Sequence, residues 1–374
     1  MRAKAVGLYV HIPFCVKKCR YCDFASFRVT EPSVRAEYIA ALCREIDSYS
    51  GLCLDVSTVF FGGGTPSLLT PREFSKIVSH IKRAFNILPD AEFTLEANPG
   101  TLTEEKLLAY IAAGVNRVSL GLQSIHENEL KMLGRIHSYQ DFLNCYDLVK
   151  KCGVNNVNVD LMYGIPEQTK ESFKETLDAV IALNPTHISA YGLIIEEGTP
   201  FFLERDALPL PSESSECDMY YLAADTLRDA GYLHYEISNY AKPSFTCRHN
   251  LTYWQDKEYI GVGLAAYSYF EGRRFGNTRD MREYISGKCI VDDTELTLDD
   301  EAFEFAMLAL RLFDGFSLSE YKERFGVDFL DKRADIIKRL STPGYLLVDD
   351  GRIKLTERGF YVSNSILREL LLGY

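Results

Sequence analysis

Three cysteines fall within eight residues near the start of the chain, at Cys15, Cys19 and Cys22. Thiolates this close together make a soft metal site, but a structural zinc ion or an iron–sulfur cube takes four ligands. One coordination position therefore stays open for a further ligand. A zinc site completed by His11 or Asp23 is an alternative, although a strand followed by a tight cysteine loop is not the usual zinc knuckle.

Length and composition narrow the class of protein. The 374 residues suffice for one large α/β domain with an accessory domain. A net charge of −12, from 41 Lys and Arg against 53 Asp and Glu, argues against general nucleic-acid binding. No apolar run approaches the ~20 residues of a membrane span, and no export signal is evident. We therefore expect a cytoplasmic protein whose thiols stay reduced.

Strand-like and helix-like stretches alternate from Val6 to about Ala190. Apolar or β-branched runs begin near Leu8, Val56, Ala91, Val115, Val157 and His187, and helical periodicity covers Ser33–Tyr49, Pro71–Phe85, Thr103–Ala113, Tyr139–Lys151 and Lys170–Leu183. Ser33 and Thr103 are the expected N-caps of their helices. Six strands joined by helices predict parallel pairing with right-handed crossovers. The pattern predicts an α/β fold, a partial (β/α)6 barrel, with a doubly wound sheet as the alternative.

The polar and glycine-rich segments follow the predicted strands. The cysteine loop follows the first strand, Gly62-Gly-Gly-Thr-Pro66 the second and Glu96-Ala-Asn-Pro99 the third, while Gln123 ends the fourth and Asp160 lies in the fifth. Because α/β barrels build active sites at the C-terminal ends of their strands, one face should collect all of them. The other cysteines, at positions 43, 53, 145, 152, 217 and 289, are expected to be core thiols.

The pattern changes after about residue 196. We predict a barrel over residues 1–195, a connecting region over 196–296 and a smaller C-terminal α+β module over 297–374. The module shows helical stretches and a hairpin around Asp350-Gly351, an order typical of a winged-helix fold. Its acidic and basic side chains balance, which favours a packing or lid role over DNA binding.

The cysteine spacing, with Tyr21 just before the third cysteine, closely resembles the signature of radical S-adenosylmethionine (SAM) proteins. The resemblance implies that Cys15, Cys19 and Cys22 bind three irons of a [4Fe–4S] cluster. It also implies that the fourth iron chelates the amino and carboxylate groups of SAM. The glycine-rich loop one βα unit later matches the family's contact to the SAM amino group.

Over roughly residues 6 to 270, the sequence is similar to the branch of this family that contains oxygen-independent coproporphyrinogen III oxidase and the heme chaperone HemW. This resemblance implies a set of SAM-contacting residues: Tyr9, Tyr21, Gly63, Gly64, Thr65, Glu96, Gln123, Arg135 and Asp160. Arg135 would pair with the SAM carboxylate, because a guanidinium forks onto a carboxylate group.

The segment His249-Asn-Leu-Thr-Tyr-Trp254 matches a His-Asn-x-x-Tyr-Trp motif that is associated with heme binding in HemW. The resemblance implies heme contacts from His249, Tyr253 and Trp254, since imidazole ligates heme iron and aromatic rings pack on a porphyrin. Cys247 is a further candidate ligand or covalent anchor.

Two departures separate the chain from the oxidase. Phe24 stands where the oxidase has a fourth cysteine, and few residues precede the first strand. We therefore expect a radical SAM-type heme chaperone with a [4Fe–4S] cluster, SAM and heme. Its expected partners are a heme-accepting protein and a low-potential electron donor, and a homodimer is left open. The alternative is an oxygen-independent coproporphyrinogen III dehydrogenase.

Overall fold

The computed structural model describes residues 5–28, 31–331 and 333–372. The strands are β1 (Val6–Ile12), β2 (Phe14–Cys15), β3 (Phe27–Arg28), β4 (Asp55–Gly63), β5 (Asn86–Ala97), β6 (Arg117–Gln123), β7 (Asn156–Tyr163), β8 (His187–Gly192), β9 (Leu233–Glu236), β10 (Asn239–Ala241), β11 (Tyr259–Val262), β12 (Tyr267–Phe270), β13 (Arg273–Asn277), β14 (Ile290–Glu295), β15 (Phe316–Ser317), β16 (Leu346–Asp349) and β17 (Arg352–Leu355).

The helices are α1 (Pro32–Ser48), α2 (Pro71–Ala84), α3 (Glu104–Ala113), α4 (Glu127–Leu133), α5 (Tyr139–Lys151), α6 (Lys170–Leu183), α7 (Pro200–Glu204), α8 (Glu213–Asp229), α9 (Arg248–Trp254), α10 (Met281–Ser286), α11 (Leu298–Ala309), α12 (Leu318–Phe325), α13 (Ala334–Ser341), α14 (Glu357–Tyr361) and α15 (Ser363–Leu372). Short 3-10 turns cover Ser50–Leu52, Pro66–Leu68 and Arg205–Ala207. Across these described segments, none of the helices combines the length and the apolar character needed to cross a bilayer.

Twelve strands form one sheet in the order β14-β13-β12-β11-β1-β4-β5-β6-β7-β8-β10-β9. Six of them, β1 and β4 to β8, are parallel and lie side by side in the order of the chain. A doubly wound sheet would reverse its strand order at a switch point, whereas a barrel keeps sequential order. The predicted partial (β/α)6 architecture is therefore confirmed, and the doubly wound alternative is wrong.

Helix α2 illustrates how the sequence produces the helical layer. Thr70 and Glu73 form a capping box, and Pro71 occupies the first turn, where its missing N–H costs nothing. Phe74, Ile77 and Ile81 lie on one face and are buried in the core. On β1, Leu8 and Val10 join the same core. Tyr9 and His11 alternate with them and point to the other face of the strand.

The stretch predicted as a connecting region, residues 196–296, also extends the sheet. Strands β10 and β9 continue it antiparallel beyond β8, and β11 pairs parallel with β1 on the other side. Strands β12 to β14 then add an antiparallel end. All six residues of the edge strand β14 are exposed. The boundaries 1–195, 196–296 and 297–374 stay a prediction.

The C-terminal part has the predicted order of helices followed by a hairpin and more helix. Strands β15, β17 and β16 form a separate antiparallel sheet. Asp350 and Gly351 connect β16 to β17 with φ angles of 51° and 70°, which is the left-handed pair that a tight hairpin turn requires. The strand pair and the helices α11 to α15 are consistent with the expected small α+β module.

Two local predictions are wrong. Helix α1 begins at Pro32 with Glu31 as its N-cap, and no side chain caps it, because the proline already fixes a helical φ one residue before Ser33. Cys53 is exposed and not a core thiol, since it follows a 3-10 turn in a left-handed conformation at the surface.

Asp256 links the main sheet to the C-terminal helices. Its side chain is 1% exposed and lies 2.7 Å from the Arg324 guanidinium on α12 and 3.5 Å from that of Arg274 on β13. We expect Asp256→Ala to lower the free energy of unfolding by about 2–4 kcal/mol, because it leaves two partly buried guanidinium groups without their shared partner. Urea unfolding followed by circular dichroism measures this. Asp299→Ala, an exposed change on α11, is the control, and an equal loss in both variants would contradict the assignment.

Candidate active site

A cavity of about 560 Å³ opens where the parallel strands end. It is lined by all three cysteines of the loop after β1. Eight of the nine residues predicted to contact SAM also line it: Tyr21, Gly63, Gly64, Thr65, Glu96, Gln123, Arg135 and Asp160. The expected collection of these residues at one face of the sheet is thus present.

Tyr9 is the exception and does not line the cavity. Its ring lies deeper among the strands, stacked on Phe60, and its hydroxyl is 3.1 Å from Nδ1 of His11. Burial, reinforced by the nearby Glu96 carboxyl, raises the pKa of the Tyr9 phenol. Tyr9 is therefore buried next to the glycine loop, where a Cβ on Gly62 would come within 3.1 Å of its ring, and its contact with SAM stays a prediction.

Each cysteine sulfur has a hydrogen-bonding neighbour. Thr65 donates its hydroxyl to Sγ of Cys15 at 3.6 Å, and Arg135 donates Nη1–H to Sγ of Cys19 at 3.6 Å. Sγ of Cys22 lies 3.9 Å from the Ser26 hydroxyl, and burial raises the pKa of this thiol.

The zinc alternative finds no support in this arrangement. In the described segments, no group of three or more His, Cys, Asp or Glu side chains is arranged so that it could hold one metal ion. His11, the suggested fourth ligand, is buried with Nε2 2.9 Å from the Ala25 carbonyl oxygen, and its other ring nitrogen faces Tyr9. A cube instead binds each thiolate to a different iron, so its three ligands need not converge on one point.

The glycine loop after β4 is packed so closely that side chains are excluded. Gly63 has φ +102°, and a Cβ there would lie 2.3 Å from the His11 ring. A Cβ at Gly64 would lie 2.7 Å from the Ile12 carbonyl oxygen. The backbone N–H of Gly63 donates to Glu96 at 3.1 Å. The two glycines are therefore required by the packing of this loop against β1, and its contact with the SAM amino group stays a prediction.

Arg135 reaches into the cavity from the segment after α4. Its Nη2 donates to the Asn98 side-chain oxygen at 2.7 Å and to the Gly121 carbonyl oxygen. Its Nε–H is buried, and no group among the described residues accepts a hydrogen bond from it. A buried donor of this kind is costly unless a ligand satisfies it. A ligand carboxylate, such as that of SAM, fits this unpaired donor.

The carboxyl groups of Glu96 and Asp160 face the cavity, and their burial makes it costly for either group to ionise. Burial, together with the neighbouring Asp160, raises the pKa of Glu96 to about 8. Burial also raises the pKa of Asp160, although Asn158 donates to one of its oxygens at 2.7 Å and Ser119 to the other at 3.2 Å. A ligand hydroxyl or a ligand cation placed beside either carboxyl group would give it the partner that a buried carboxylate needs.

Sequence reasoning missed other residues of the cavity, among them Asn98, Ser119 and Tyr191. Tyr191, on β8, donates its hydroxyl to the side-chain oxygen of Gln123 at 2.8 Å. Gln123 has φ 75° and follows a bulge in the pairing of β6 with β7. Such bulges re-aim side chains beside active sites. Asn98 was within a recognised motif, but the signal for Tyr191 was only its position at the end of the sixth strand.

The predicted heme motif lies elsewhere, on α9. His249 is 1% exposed, with Nδ1 2.8 Å from the Thr58 hydroxyl and Nε2 2.8 Å from the Tyr253 hydroxyl. Burial, together with the positive charge of Arg117, lowers its pKa to about 3. Its ring stacks on Phe60 at 5.0 Å between centroids. Both ring nitrogens of His249 are therefore engaged inside the protein.

The start of α9 is anchored by a buried carboxylate on β5. Glu92 accepts the backbone N–H groups of Arg248 and His249, each at 3.0 Å. Cys247 is fully buried next to the same carboxylate, and burial raises the pKa of its thiol to about 12. None of His249, Tyr253 and Trp254 lines the cavity of the cysteines. The motif closes the end of the sheet opposite to that cavity.

Trp254 faces the C-terminal helices. The Arg311 guanidinium lies 5.9 Å from the centre of its ring. Close by, the backbone N–H of Ile237 donates to the carbonyl oxygen of Arg311 at 3.1 Å. The residues predicted to contact heme thus lie on one helix. His249 is in the interior, whereas Trp254 packs against the segment that contains Arg311.

Comparison with known proteins agrees with this geometry. Residues 9–180 match the model of the radical SAM superfamily, and residues 296–362 match the HemN C-terminal domain. The chain is 34% identical to "Heme chaperone HemW" from Lactococcus lactis, covering 100% of this chain and 99% of that protein. It is 36% identical to the protein of the same name from Escherichia coli, with 98% of both covered.

A solved structure titled as the radical SAM enzyme coproporphyrinogen III oxidase (HemN) from Escherichia coli has the same fold, with a TM-score of 0.87 and 24% identity. The superposed region covers 100% of this chain and 91% of the HemN chain. Three thiols at the open end of an incomplete parallel barrel, above a glycine loop, define a radical SAM protein. Within that superfamily, the chain belongs to the HemW family.

The Glu96 carboxyl gives a pH dependence that can be measured without any ligand. It keeps its proton up to pH about 8 when folded, but releases it near pH ~4.3 when unfolded. The folded state therefore binds more protons between these values, and stability falls as pH rises through this range. Glu96→Gln removes this contribution. The melting temperature of the variant relative to wild type should rise from pH 5 to pH 9. A constant difference would mean that Glu96 is ionised throughout.

Arg135→Ala should weaken SAM binding roughly tenfold or more, because it removes a charge-assisted fork worth about 1.5–3 kcal/mol. Equilibrium dialysis of SAM against anaerobically reconstituted protein measures the change, and iron content should be retained. Arg83→Ala, at an exposed position of α2, is the matched control. An unchanged SAM affinity in Arg135→Ala would show that the unpaired Nε–H does not face the ligand.

Proposed function

We propose that this protein is a heme chaperone of the radical SAM type that binds heme and passes it to an acceptor protein. The single observation that carries the proposal is the full-length similarity to proteins named heme chaperone HemW. A low-potential electron donor and a heme-accepting protein are its proposed partners. We also propose a cytoplasmic location, because ten free thiols suit a reducing compartment.

Cys15, Cys19 and Cys22 would hold a [4Fe–4S] cluster. SAM would lie beside it, and its proposed contacts are Tyr9, Tyr21, Gly63, Gly64, Thr65, Glu96, Gln123, Arg135 and Asp160. When bound, the cluster would supply an iron for SAM and an entry point for one electron. The residues of this chain bind and orient SAM, and the unpaired Nε–H of Arg135 supports that role.

The second candidate is an oxygen-independent coproporphyrinogen III dehydrogenase, which the fold shared with HemN favours. Phe24 argues against it. This side chain occupies the place of the oxidase's fourth cysteine, lines the cavity and is 63% exposed. Conversion of coproporphyrinogen III under reducing, SAM-replete conditions, without a stable heme complex, would favour the dehydrogenase.

We retain His249, Tyr253 and Trp254 as the proposed heme contacts, with a structural condition. His249 can ligate iron only after one ring nitrogen leaves Thr58 or Tyr253. Heme binding through this motif would therefore require a local rearrangement, in which either the Tyr253 hydroxyl leaves Nε2 or the imidazole leaves Thr58.

A heme titration of three variants tests this condition. His249→Ala should shift or abolish the Soret band of the heme complex, because it removes the proposed axial nitrogen, while cluster content stays the same. Thr58→Val keeps the imidazole and releases one of its partners, so it should retain the Soret band and bind heme at least as tightly. Ser138→Ala, which removes the N-cap of α5 and no hydrogen bond of α9 or of Glu92, is the control.

Two outcomes separate the possibilities. If His249→Ala lowers the melting temperature but leaves the Soret band unchanged, the imidazole is structural and heme binds elsewhere. If the wild-type protein forms no heme complex at all, the chaperone function itself is wrong.

A further inference from the structure

Three side chains form a continuous hydrogen-bonded chain along one wall of the cavity. Asn98, which follows β5, lies in the middle. Its side-chain nitrogen donates to the Thr65 hydroxyl at 2.9 Å, and its side-chain oxygen accepts from Nη2 of Arg135 at 2.7 Å. Both polar atoms of the Asn98 amide are thus used, and their orientation is fixed by a donor partner on one side and an acceptor partner on the other.

Each end of this chain touches a cysteine sulfur. The Thr65 hydroxyl accepts a hydrogen bond from Asn98, so its own hydrogen is left for Sγ of Cys15 at 3.6 Å. At the other end, Nη2 of Arg135 is held by Asn98 and by the Gly121 carbonyl oxygen. This fixes the planar guanidinium so that Nη1 donates to Sγ of Cys19 at 3.6 Å. One amide therefore aims two donors at two sulfurs.

The Asn98 side chain is not needed for the turn in which it lies. The turn is closed by the Asn98 backbone carbonyl, which accepts from the Thr101 N–H at 3.1 Å and from the Thr101 hydroxyl at 2.6 Å. Pro99, the next residue, restricts the backbone further. The amide is therefore free for a second task, and substitutions of it should leave the backbone path intact.

We propose that Asn98 is a positioning residue that sets the reduction potential of the cluster bound by Cys15, Cys19 and Cys22. One-electron reduction adds negative charge to the cluster, and part of that charge falls on the thiolate sulfurs. Hydrogen bonds to those sulfurs therefore stabilise the reduced state more than the oxidised state, and they raise the potential. Asn98 acts through Thr65 and Arg135 without touching the sulfurs.

The experiment is a potentiometric titration of the reconstituted cluster, followed by electron paramagnetic resonance in the absence of SAM and heme. Asn98→Ala should shift the midpoint potential to a more negative value at unchanged iron content. Thr65→Val should shift it in the same direction, and Thr65→Ser, which keeps the hydroxyl, should stay at the wild-type value. In the double variant of Asn98→Ala with Thr65→Val, the shift should be smaller than the sum of the two single shifts.

Asn86→Ala is the matched control. Asn86 begins β5, so it lies at the opposite end of the strand that leads to Asn98, and its amide donates to Asp55 at 2.6 Å. Its cluster should keep the wild-type potential. A wild-type potential in Asn98→Ala, or an equal shift in Asn86→Ala, would overturn the proposal.

If Asn98→Ala fails to hold iron, the Thr65 pair decides. Equal midpoint potentials in Thr65→Val and Thr65→Ser would then show that the Thr65 hydroxyl does not affect the cluster, and this would overturn the proposal. Because the measurement needs neither heme nor an acceptor, it stays independent of the chaperone function.

Discussion

The parallel hydrogen bonding of β1 with β4, and onward to β8, is the constraint on which the candidate site depends. Parallel neighbours all end at the same edge of a sheet, so the loops that follow them meet. Cys15, Gly63, Asn98, Gln123 and Asp160 are separated by long stretches of sequence, yet they line one cavity for this reason. The helices between the strands supply the apolar cover that makes such a buried parallel sheet stable.

Two buried carboxyl groups of β5, those of Glu92 and Glu96, have different surroundings. Glu92, in the middle of β5, accepts two backbone N–H groups of α9 and so completes a structural contact inside the protein. Glu96, four residues later, receives one N–H from Gly63 and keeps its proton up to pH about 8. A carboxyl group whose oxygens already accept hydrogen bonds inside the protein has little capacity left for a ligand. A buried carboxyl group with a raised pKa still has that capacity. One strand therefore carries a structural carboxyl group and, four residues further toward the cavity, a candidate binding group.

Much of this arrangement follows from local sequence. Period-3.6 patterning and N-cap residues give α5 and α6 their bounds, and the alternation of strands and helices gives the sequential parallel order. The family resemblance supplies the cysteines and eight cavity residues. The rest depends on contacts between distant segments. His249 meets Thr58 across 191 positions of the chain, and Tyr191 meets Gln123 beside a bulge that no periodicity reveals. Tyr9 does not line the cavity, and its hydroxyl lies 3.1 Å from Nδ1 of His11 instead.

The edge strand β14 has a bearing on how copies of the chain meet. An unpaired edge with exposed Ile290 and Val291 is a template on which a second strand can add. Here the same strand carries Asp292, Asp293 and Glu295, and all of its residues are exposed. Two such strands brought edge to edge would set carboxylate against carboxylate, which opposes pairing. The carboxylates of β14 thus disfavour the pairing of this exposed edge with the same edge of a second copy.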